Sequence, residues 1–226
     1  MSFTYLWINI AIIAGPLWVT RDPQLAYHRQ LPAVAAAIAV VSSLYITWDS
    51  IAAGWGEWSF NPRYVTGIKV FNLPIEEILF FITVPYACLL LYEVVRIKTK
   101  QARFELSRAA VVAAVAVLAS AALGFAGQGY TSKVLSSCAA FLGIALLTDR
   151  PLLENRQYWL WLGLCLAPFL LVNSILTALP VVQYQPEAIW SVRFFTIPLE
   201  DFFYNYSLLS FYLLAYRRAQ KFLGSS

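Results

Sequence analysis

Seven long apolar stretches, separated by shorter polar segments, dominate the chain. They cover residues 3–20, 31–53, 74–95, 109–126, 133–148, 157–179 and 198–216. A helix needs about 17–25 apolar residues to cross a hydrocarbon core about 30 Å thick, and every stretch meets or approaches that length. The pattern therefore predicts an all-α integral membrane protein with seven transmembrane helices, of which 133–148 is the shortest.

The composition rules out an ordinary soluble domain. Of the 226 residues, 60% are hydrophobic and only 12% are charged, whereas soluble domains average about 45–50% apolar and 25% charged residues. Aromatic residues make up 16%, and Trp and Tyr collect at membrane interfaces. The net charge of +4 fits basic cytoplasmic loops, so the lipid bilayer is the predicted partner and nucleic acid is not.

Residues that bind metals or nucleotides are scarce. The three cysteines all lie inside apolar stretches without a CxxC spacing, and the single histidine, His28, lies in a polar loop beside Arg29. No Gly-rich nucleotide fingerprint follows a strand, and the glycines of segment 124–129 are better explained as a helix end and a turn. We therefore predict no metal site and no cofactor, and we interpret the cysteines as buried apolar side chains.

The basic residues predict how the chain lies in the membrane. With seven spans, twelve of the 16 Lys and Arg residues fall on one side and four on the other. Basic loops stay in the cytoplasm, so the N-terminus is predicted outside the cell membrane and the C-terminus in the cytoplasm. The first stretch has no basic residue before it and no small-residue cleavage site after it, which favours a retained anchor over a signal peptide.

An internal repeat relates the two ends of the chain. A shift of 124 residues aligns 48–95 with 172–219 without a gap and gives nine identities, among them two proline pairs and one glutamate pair. We therefore predict two three-helix repeats, 1–96 and 131–226, joined by a connector, 97–130, that carries the fourth helix. Because the connector holds one helix, the repeats are predicted to be parallel and related by a pseudo-twofold axis along the membrane normal.

An acidic pair follows a proline at the start of the third predicted helix and again at the start of the seventh. The pairs are Glu76-Glu77 and Glu200-Asp201. Proline and acids also suit an ordinary helix start, but the residues before each pair are largely apolar, which predicts that the carboxyls lie below the membrane surface. Because neighbouring buried carboxyls cannot all ionise, the pairs can supply both a general acid and a base. The parallel repeats predict that the two pairs face one central cavity.

Aromatic side chains surround the acidic pairs in the sequence. The candidates for contact with a substrate are Trp48, Trp55, Phe80, Phe81, Phe203 and Tyr204. Rings that face a cation stabilise it by about 0.5–2 kcal/mol each when water is excluded, although single rings here are also typical of an interfacial belt. Acids and aromatics with few other polar groups suggest protonation of an alkene and shielding of the resulting carbocation.

Four segments carry a family resemblance. They are 74–81 (PIEEILFF), 196–204 (TIPLEDFFY), 173–178 (NSILTA) and the Trp-rich segment 48–60. In these segments the chain resembles the integral-membrane lycopene cyclase family, the kind found as two small subunits or as their fusion. The resemblance implies cyclisation of the acyclic ends of lycopene to β-ionone rings, giving γ-carotene and then β-carotene. It further implies a redox-neutral, isomerase-class intramolecular lyase that is not of the flavin-binding type, with other carotenoid-pathway enzymes as further potential partners.

The resemblance also implies roles for the acidic pairs. The candidate catalytic carboxyls are Glu76, Glu77, Glu200 and Asp201. One of them would protonate the terminal double bond, and a carboxylate of the opposite pair would remove a ring proton. Glu76 and Glu200 are favoured as donors because they are identical across the repeat, and Asp49 and Asn173 are expected to orient the acids by hydrogen bonds. Since both pairs lie on one side of the membrane, we expect one active site that treats one end of lycopene at a time.

Two alternatives remain open on the sequence. A related cyclase could act on longer carotenoids or on another terpenoid tail, or could form ε or γ rings. A proton-coupled membrane carrier could use the same acids as a relay. Polar residues along a whole span would favour the carrier, whereas a closed aromatic pocket that opens to lipid would favour the cyclase.

Overall fold

The chain is almost entirely helical in the computed structural model, which describes residues 3–23 and 25–224. The helices are α1 Thr4–Val19, α2 Leu31–Gly54, α3 Ile75–Lys98, α4 Arg108–Gly124, α5 Gly129–Thr148, the single turn α6 Arg150–Leu153, α7 Arg156–Ala178 and α8 Leu199–Leu223. Two short 3-10 turns, Tyr27–Gln30 and Pro186–Ala188, complete the helical elements of the described residues. Each of the seven predicted stretches contains a long helix, and the all-α class is confirmed.

Four helical segments are long and apolar enough to cross a membrane. They are Tyr27–Gly54, Ile75–Lys98, Gly129–Thr148 and Arg156–Ala178. Helices α1 and α4 are apolar but shorter. Helix α8 has 25 residues, with two acids in its first turn and a basic residue in its last. Membrane association is thus supported by four candidate spans among the described residues, and a seven-span arrangement stays a prediction.

The helix ends differ from the predicted ones where polar residues interrupt the hydropathy pattern. Helix α5 begins at Gly129, four residues before the predicted start, because the polar side chains around Lys133 are part of its first turns. Helix α8 continues to Leu223, past the predicted end at 216, since basic residues suit a helix C-terminus. The predicted boundary between connector and second repeat, at 130/131, therefore lies inside α5. The turn predicted around 124–129 is present between α4 and α5.

Short strands in the loops before α3 and α8 have matching geometry. Strand β2 (Lys69–Val70) pairs with β3 (Leu73–Pro74), and β5 (Arg193–Phe194) pairs with β6 (Ile197–Pro198). In both hairpins the basic residue lies opposite the proline, and the two hairpins are 124 residues apart in the sequence. Each hairpin delivers the chain to the acidic first turn of the following helix.

A third pairing connects the two halves of the chain. Strand β1 (Trp58–Phe60) runs antiparallel to β4 (Val182–Tyr184), with Ser59 opposite Gln183. These two residues are also 124 apart, so the central pair of this ladder joins positions that the sequence shift makes equivalent. Helix α1 packs against α3 and α5 packs against α8, while α2 contacts α8 and α3 contacts α7. The β1–β4 pairing and the α2–α8 and α3–α7 contacts therefore join the first half of the chain to the second.

Candidate active site

A cavity of about 520 Å³ lies between α1, α3 and α7 and the first turns of α8. Along α3 its lining runs from Glu77 to Leu91, which is about 21 Å at 1.5 Å per residue. Most of that length is apolar, with side chains such as Ile12, Val84 and Val172 on its walls. Carboxyl, amide and phenol groups lie together at one end. The cavity is therefore a long apolar groove with a polar tip.

One carboxyl of each acidic pair faces this groove. Glu77 and Asp201 line its polar tip together with Asp49, and all three side chains are buried. Successive residues of a helix point in directions about 100° apart, so the first acid of each pair faces elsewhere. The predicted meeting of the two pairs at one cavity thus holds for one member of each.

The other two acids hold the loops that precede their helices. Glu76 Oε1 accepts a hydrogen bond from the Thr66 backbone N–H at 2.7 Å, and Glu200 Oε1 accepts from the Trp190 backbone N–H at 2.5 Å. Thr131 Oγ1 also donates to Glu200, at 2.6 Å. Both glutamates are fully buried and absent from the cavity lining. The geometry therefore favours Glu77 and Asp201, not the identical glutamates, as the residues in reach of a substrate.

The two carboxyls at the tip have different hydrogen-bond environments. Glu77 Oε2 accepts one bond, from the Tyr5 hydroxyl at 2.6 Å. Asp201 accepts from the Tyr130 hydroxyl at 2.8 Å, from the Asn173 amide at 2.8 Å and from the Tyr184 hydroxyl at 3.0 Å. Hydrogen bonds donated to a carboxylate stabilise its charged form. Asp201 is thus arranged as an anion, and Glu77 has far less support for a negative charge.

Tyr184 reaches this tip from strand β4, outside the helices. Burial is the main reason that its pKa is raised well above the usual value, and the neighbouring Asp201 carboxylate adds to the effect. The phenol therefore stays protonated and remains a donor to both oxygens of Asp201. Asp201 thus keeps this hydrogen bond while it is ionised.

The two predicted supporting residues behave differently. Asn173 Nδ2 donates to Asp201 Oδ2 at 2.8 Å, which is the orienting contact that the sequence analysis expected. Asp49 Oδ1 instead accepts from the Tyr204 hydroxyl at 3.1 Å. Asp49 therefore adds a third buried carboxyl to the tip beside Glu77 and positions a phenol rather than a carboxyl.

Two of the six aromatic residues predicted to contact substrate line the groove. Phe80 and Tyr204 do so, whereas the remaining four lie elsewhere: Trp48, Trp55, Phe81 and Phe203. Phe81 follows Phe80 on α3 and Phe203 precedes Tyr204 on α8. Because successive helical residues point in different directions, both side chains pack against other helices instead of the groove. Trp55 is 70% exposed, with the Lys133 ammonium 4.4 Å from its ring centroid. Trp48 borders a second cavity. These four residues do not line this cavity, and their contact with substrate stays a prediction.

Several groove residues were missed by the sequence analysis. The phenols of Tyr5, Tyr130 and Tyr184, and the rings of Trp58 and Phe60 from β1, all line the tip. Tyr5 and Tyr130 were detectable in principle: they lie 125 residues apart and each donates to the second acid of a pair. A repeat alignment extended to α1 and α5 with a one-residue insertion would have matched them.

Comparison with known proteins assigns the family. The chain matches the family described as Lycopene cyclase over residues 2–95 and 128–219. The chain belongs to the lycopene cyclase family. The match leaves out α4 and falls into two segments, each of which contains one acidic pair. Membership of this family implies an enzyme that catalyses cyclisation of a carotenoid.

One curated relative adds to this assignment. The chain is 27% identical over 125 residues to a bifunctional lycopene cyclase/phytoene synthase from Aspergillus niger, over 53% of this chain and 20% of that protein. The match thus spans a fifth of the length of the relative, so the activities of the whole fungal protein are not transferred by it. No solved structure matches the chain.

Proposed function

We propose that this lycopene cyclase is a β-cyclase, which converts the acyclic ends of lycopene to β-ionone rings by acid-initiated, redox-neutral cyclisation. γ-Carotene is the product after one end and β-carotene after both. The observation that carries the proposal is the polar tip: Glu77 and Asp201 come from different acidic pairs and lie at the end of an apolar groove. Such a groove accommodates a hydrocarbon chain and places its end at the carboxyls.

Glu77 is the proposed general acid. It lies beside Asp49 at the tip and has a single phenol donor, so a second negative charge there is disfavoured. In the neutral acid, Oε2 accepts from Tyr5 while Oε1 carries the proton. A positioned carboxylic acid of this kind contributes about 10²–10⁴-fold to a proton-transfer step.

Asp201 is the proposed base. Its three donors, Tyr130, Asn173 and Tyr184, keep it ionised, and an anion at the tip stabilises a developing cation electrostatically. Because the donors occupy fixed positions on α5, α7 and β4, the carboxylate does not need to reorganise when the cation forms. The Asp201 carboxylate can therefore stabilise the cationic transition state without any rearrangement of its hydrogen-bond donors.

The reaction requires one proton in and one proton out. Glu77 donates a proton to the terminal C=C bond, which leaves a tertiary carbocation and the Glu77 carboxylate. The π electrons of the next reacting double bond in the chain close the ring and move the cation onto the ring. Asp201 then removes a ring proton, and the C–H electrons form the ring double bond. Asp201 then releases this proton to solvent and Glu77 takes one up from solvent, which restores the enzyme, so substrate and product are isomers.

Aromatic side chains at the tip shield the cation. Phe80, Tyr204, Trp58, Phe60 and Tyr130 line the tip of the groove. Each ring that faces a cation in a water-free site contributes about 0.5–2 kcal/mol. No ion pair connects a basic side chain to Glu77 or Asp201 within residues 3–23 and 25–224, so a cation formed here does not meet a fixed positive charge.

The wider architecture is part of the proposal. Two parallel three-helix repeats with seven spans are supported by hairpins in the same register 124 residues apart and by the Ser59–Gln183 pairing. The uneven distribution of basic residues supports an outer N-terminus and a cytoplasmic C-terminus, with the acidic tip toward the outer side. A single tip that receives one carboxyl from each acidic pair supports one active site, which acts on one end of the carotenoid at a time.

The alternatives identified from the sequence make different demands. A longer carotenoid also requires an apolar groove that ends at the acids, and ring type depends on which ring proton faces Asp201. A proton-coupled carrier needs polar groups along the whole path across the membrane, but in this groove they are concentrated at one end. The geometry therefore favours the cyclase.

The proposal is tested by expressing the protein in bacteria that accumulate lycopene and separating the pigments by chromatography. We expect loss of lycopene and appearance of γ-carotene followed by β-carotene. Unchanged lycopene with folded protein in the membrane would remove the assignment. A product with ε rings would retain the cyclase and correct the ring type.

A further inference from the structure

A second cavity mirrors the active groove on the other half of the molecule. It has a volume of about 410 Å³ and lies between α2, α5 and α8. The 124-residue shift relates α2 to α7 and α8 to α3, and the tyrosine pair Tyr5/Tyr130 relates α1 to α5. The second cavity is therefore bounded by the equivalents of the three helices that form the active groove.

Individual lining residues follow the same correspondence. Tyr45, Trp48 and Phe211 border the second cavity, at the positions that Phe169, Val172 and Ala87 occupy in the active groove. Trp48 and Phe211 are much larger than their counterparts. The second cavity does not include Glu77, Asp201 or Asp49 in its lining, so it ends before the carboxyls.

Two contacts close the second cavity toward the acidic tip. The Tyr45 hydroxyl lies 3.0 Å from Ser137 Oγ on α5 and donates to Ser207 Oγ on α8 at 3.0 Å, so it links α2 to both neighbouring helices. The Trp48 ring stands 5.3 Å, centroid to centroid, from both Tyr45 and Tyr204. Tyr204 belongs to the active tip, and Trp48 thus separates that tip from the second cavity.

The active groove lacks both of these contacts. Phe169 stands at the position of Tyr45 and has no hydroxyl, and Ile12 stands at the position of Ser137. Both side chains line the groove, but they cannot form the hydrogen bond that ties the equivalent helices together. Leu171 and Ile175 also line this groove and are 66% and 37% exposed, so it opens sideways between α1 and α7.

We propose that the polyene chain of the carotenoid enters and lies only in the groove between α1, α3 and α7, and that Trp48 with the Tyr45–Ser137 contact makes the equivalent groove unproductive. The inference rests on the proposed function for the identity of the ligand. Its occupant is a linear hydrocarbon because the groove is apolar over about 21 Å and its tip meets the carboxyls. Val172 is then a position that decides whether the chain can reach the tip.

A large ring added to each cavity in turn tests the inference. Val172→Trp places it in the active groove, and Leu44→Trp is the control that places it in the second cavity, which Leu44 lines. The protein is purified into nanodiscs and titrated with lycopene, and the bound pigment per folded chain is measured by extraction and chromatography alongside cyclisation. Val172→Trp is expected to lower lycopene affinity and cyclisation at least tenfold, whereas Leu44→Trp is expected to keep both within about threefold of wild type.

A second variant guards against misfolding by the bulky substitution. Ile12→Ser combined with Phe169→Tyr rebuilds the hydroxyl contact in the active groove and is expected to lower bound lycopene as well, with the thermal midpoint recorded for each protein. Wild-type affinity in both Val172→Trp and the folded double variant, or an equal loss in Leu44→Trp, would overturn the groove assignment. Binding of lycopene by wild type without ring closure would instead contradict the proposed function and leave the groove assignment intact.

Discussion

Buried acidic residues occur at both ends of the helices, but their partners differ. At the C-terminal ends of α3 and α5, Glu93 and Asp149 form ion pairs with arginines: Arg96 at 2.8 Å and Arg217 at 2.9 Å, respectively. At the opposite end, Glu77 and Asp201 are equally buried and have only phenol and amide donors. The Asp149–Arg217 pair connects the end of α5 to α8, and the Glu93–Arg96 pair lies within α3, so both carboxyls have a structural partner. A carboxyl without a cation can gain or lose a proton, which is what the proposed reaction needs.

The largest effect is expected at Glu77, a buried carboxyl that has no arginine partner among the described residues. Glu77→Gln removes the proposed proton donor while keeping the shape of the side chain, so turnover is expected to fall about 10²–10⁴-fold with lycopene binding retained. Glu76→Gln is the matched control, since a Gln oxygen still accepts from the Thr66 N–H, and it is expected to stay within a few-fold of wild type. The reverse order of the two variants would assign the acid to Glu76 instead.

A substitution in the Asp149–Arg217 ion pair is expected to lower the free energy of unfolding and to leave turnover unchanged. Asp149→Asn leaves Arg217 without its carboxylate, which is expected to cost roughly 3 kcal/mol, the lower end for buried pairs because a fifth of the Arg217 side chain is exposed. The measurement is the denaturation midpoint together with turnover per folded molecule. A large loss of turnover in fully folded Asp149→Asn would mean that this end also takes part in the reaction.

A smaller effect is expected from one donor to the proposed base. Tyr184→Phe removes one of the three groups that support the Asp201 charge, and a hydrogen bond to a charged group is worth about 1.5–3 kcal/mol. We expect turnover to fall about tenfold or more with little change in KM for lycopene. An altered KM with unchanged turnover would show that Tyr184 binds the substrate rather than positioning the base.

The smallest effect is expected at Trp55. Its side chain is 70% exposed and does not line the groove, so Trp55→Ala is expected to change turnover less than twofold and stability by about 0.5 kcal/mol or less. A tenfold loss of turnover in pigment conversion would restore Trp55 as a substrate contact.

The sequence predicted the helices and the position of the acidic pairs because both depend on local pattern. Hydropathy located every long helix, and the proline before each pair marked the helix start to within one residue at Ile75 and Leu199. Which acid faces the groove depends on how each helix is rotated, and the weakly amphipathic spans carry little information on rotation. The same limit applies to Phe80 and Phe81, of which only the first lines the groove.

The missed phenols show a second limit. Tyr184 reaches Asp201 because β4 pairs with β1, a contact between residues more than a hundred positions apart. Tyr5 lies in α1, where its repeat relation to Tyr130 is the single sign in the sequence that it belongs to the site. Long-range strand pairing and helix packing placed these donors, and neither is encoded in hydropathy.

The most direct test of the central claim follows the transferred proton. Membranes containing the protein are equilibrated in heavy water and supplied with unlabelled lycopene, and the product is analysed by mass spectrometry. Because the Glu77 carboxyl exchanges its proton with solvent between turnovers, the account predicts one deuterium for each ring formed and about 10²–10⁴-fold slower formation of cyclised product with Glu77→Gln. Rings formed by wild type without deuterium would contradict protonation of the carotenoid by a carboxylic acid of the enzyme.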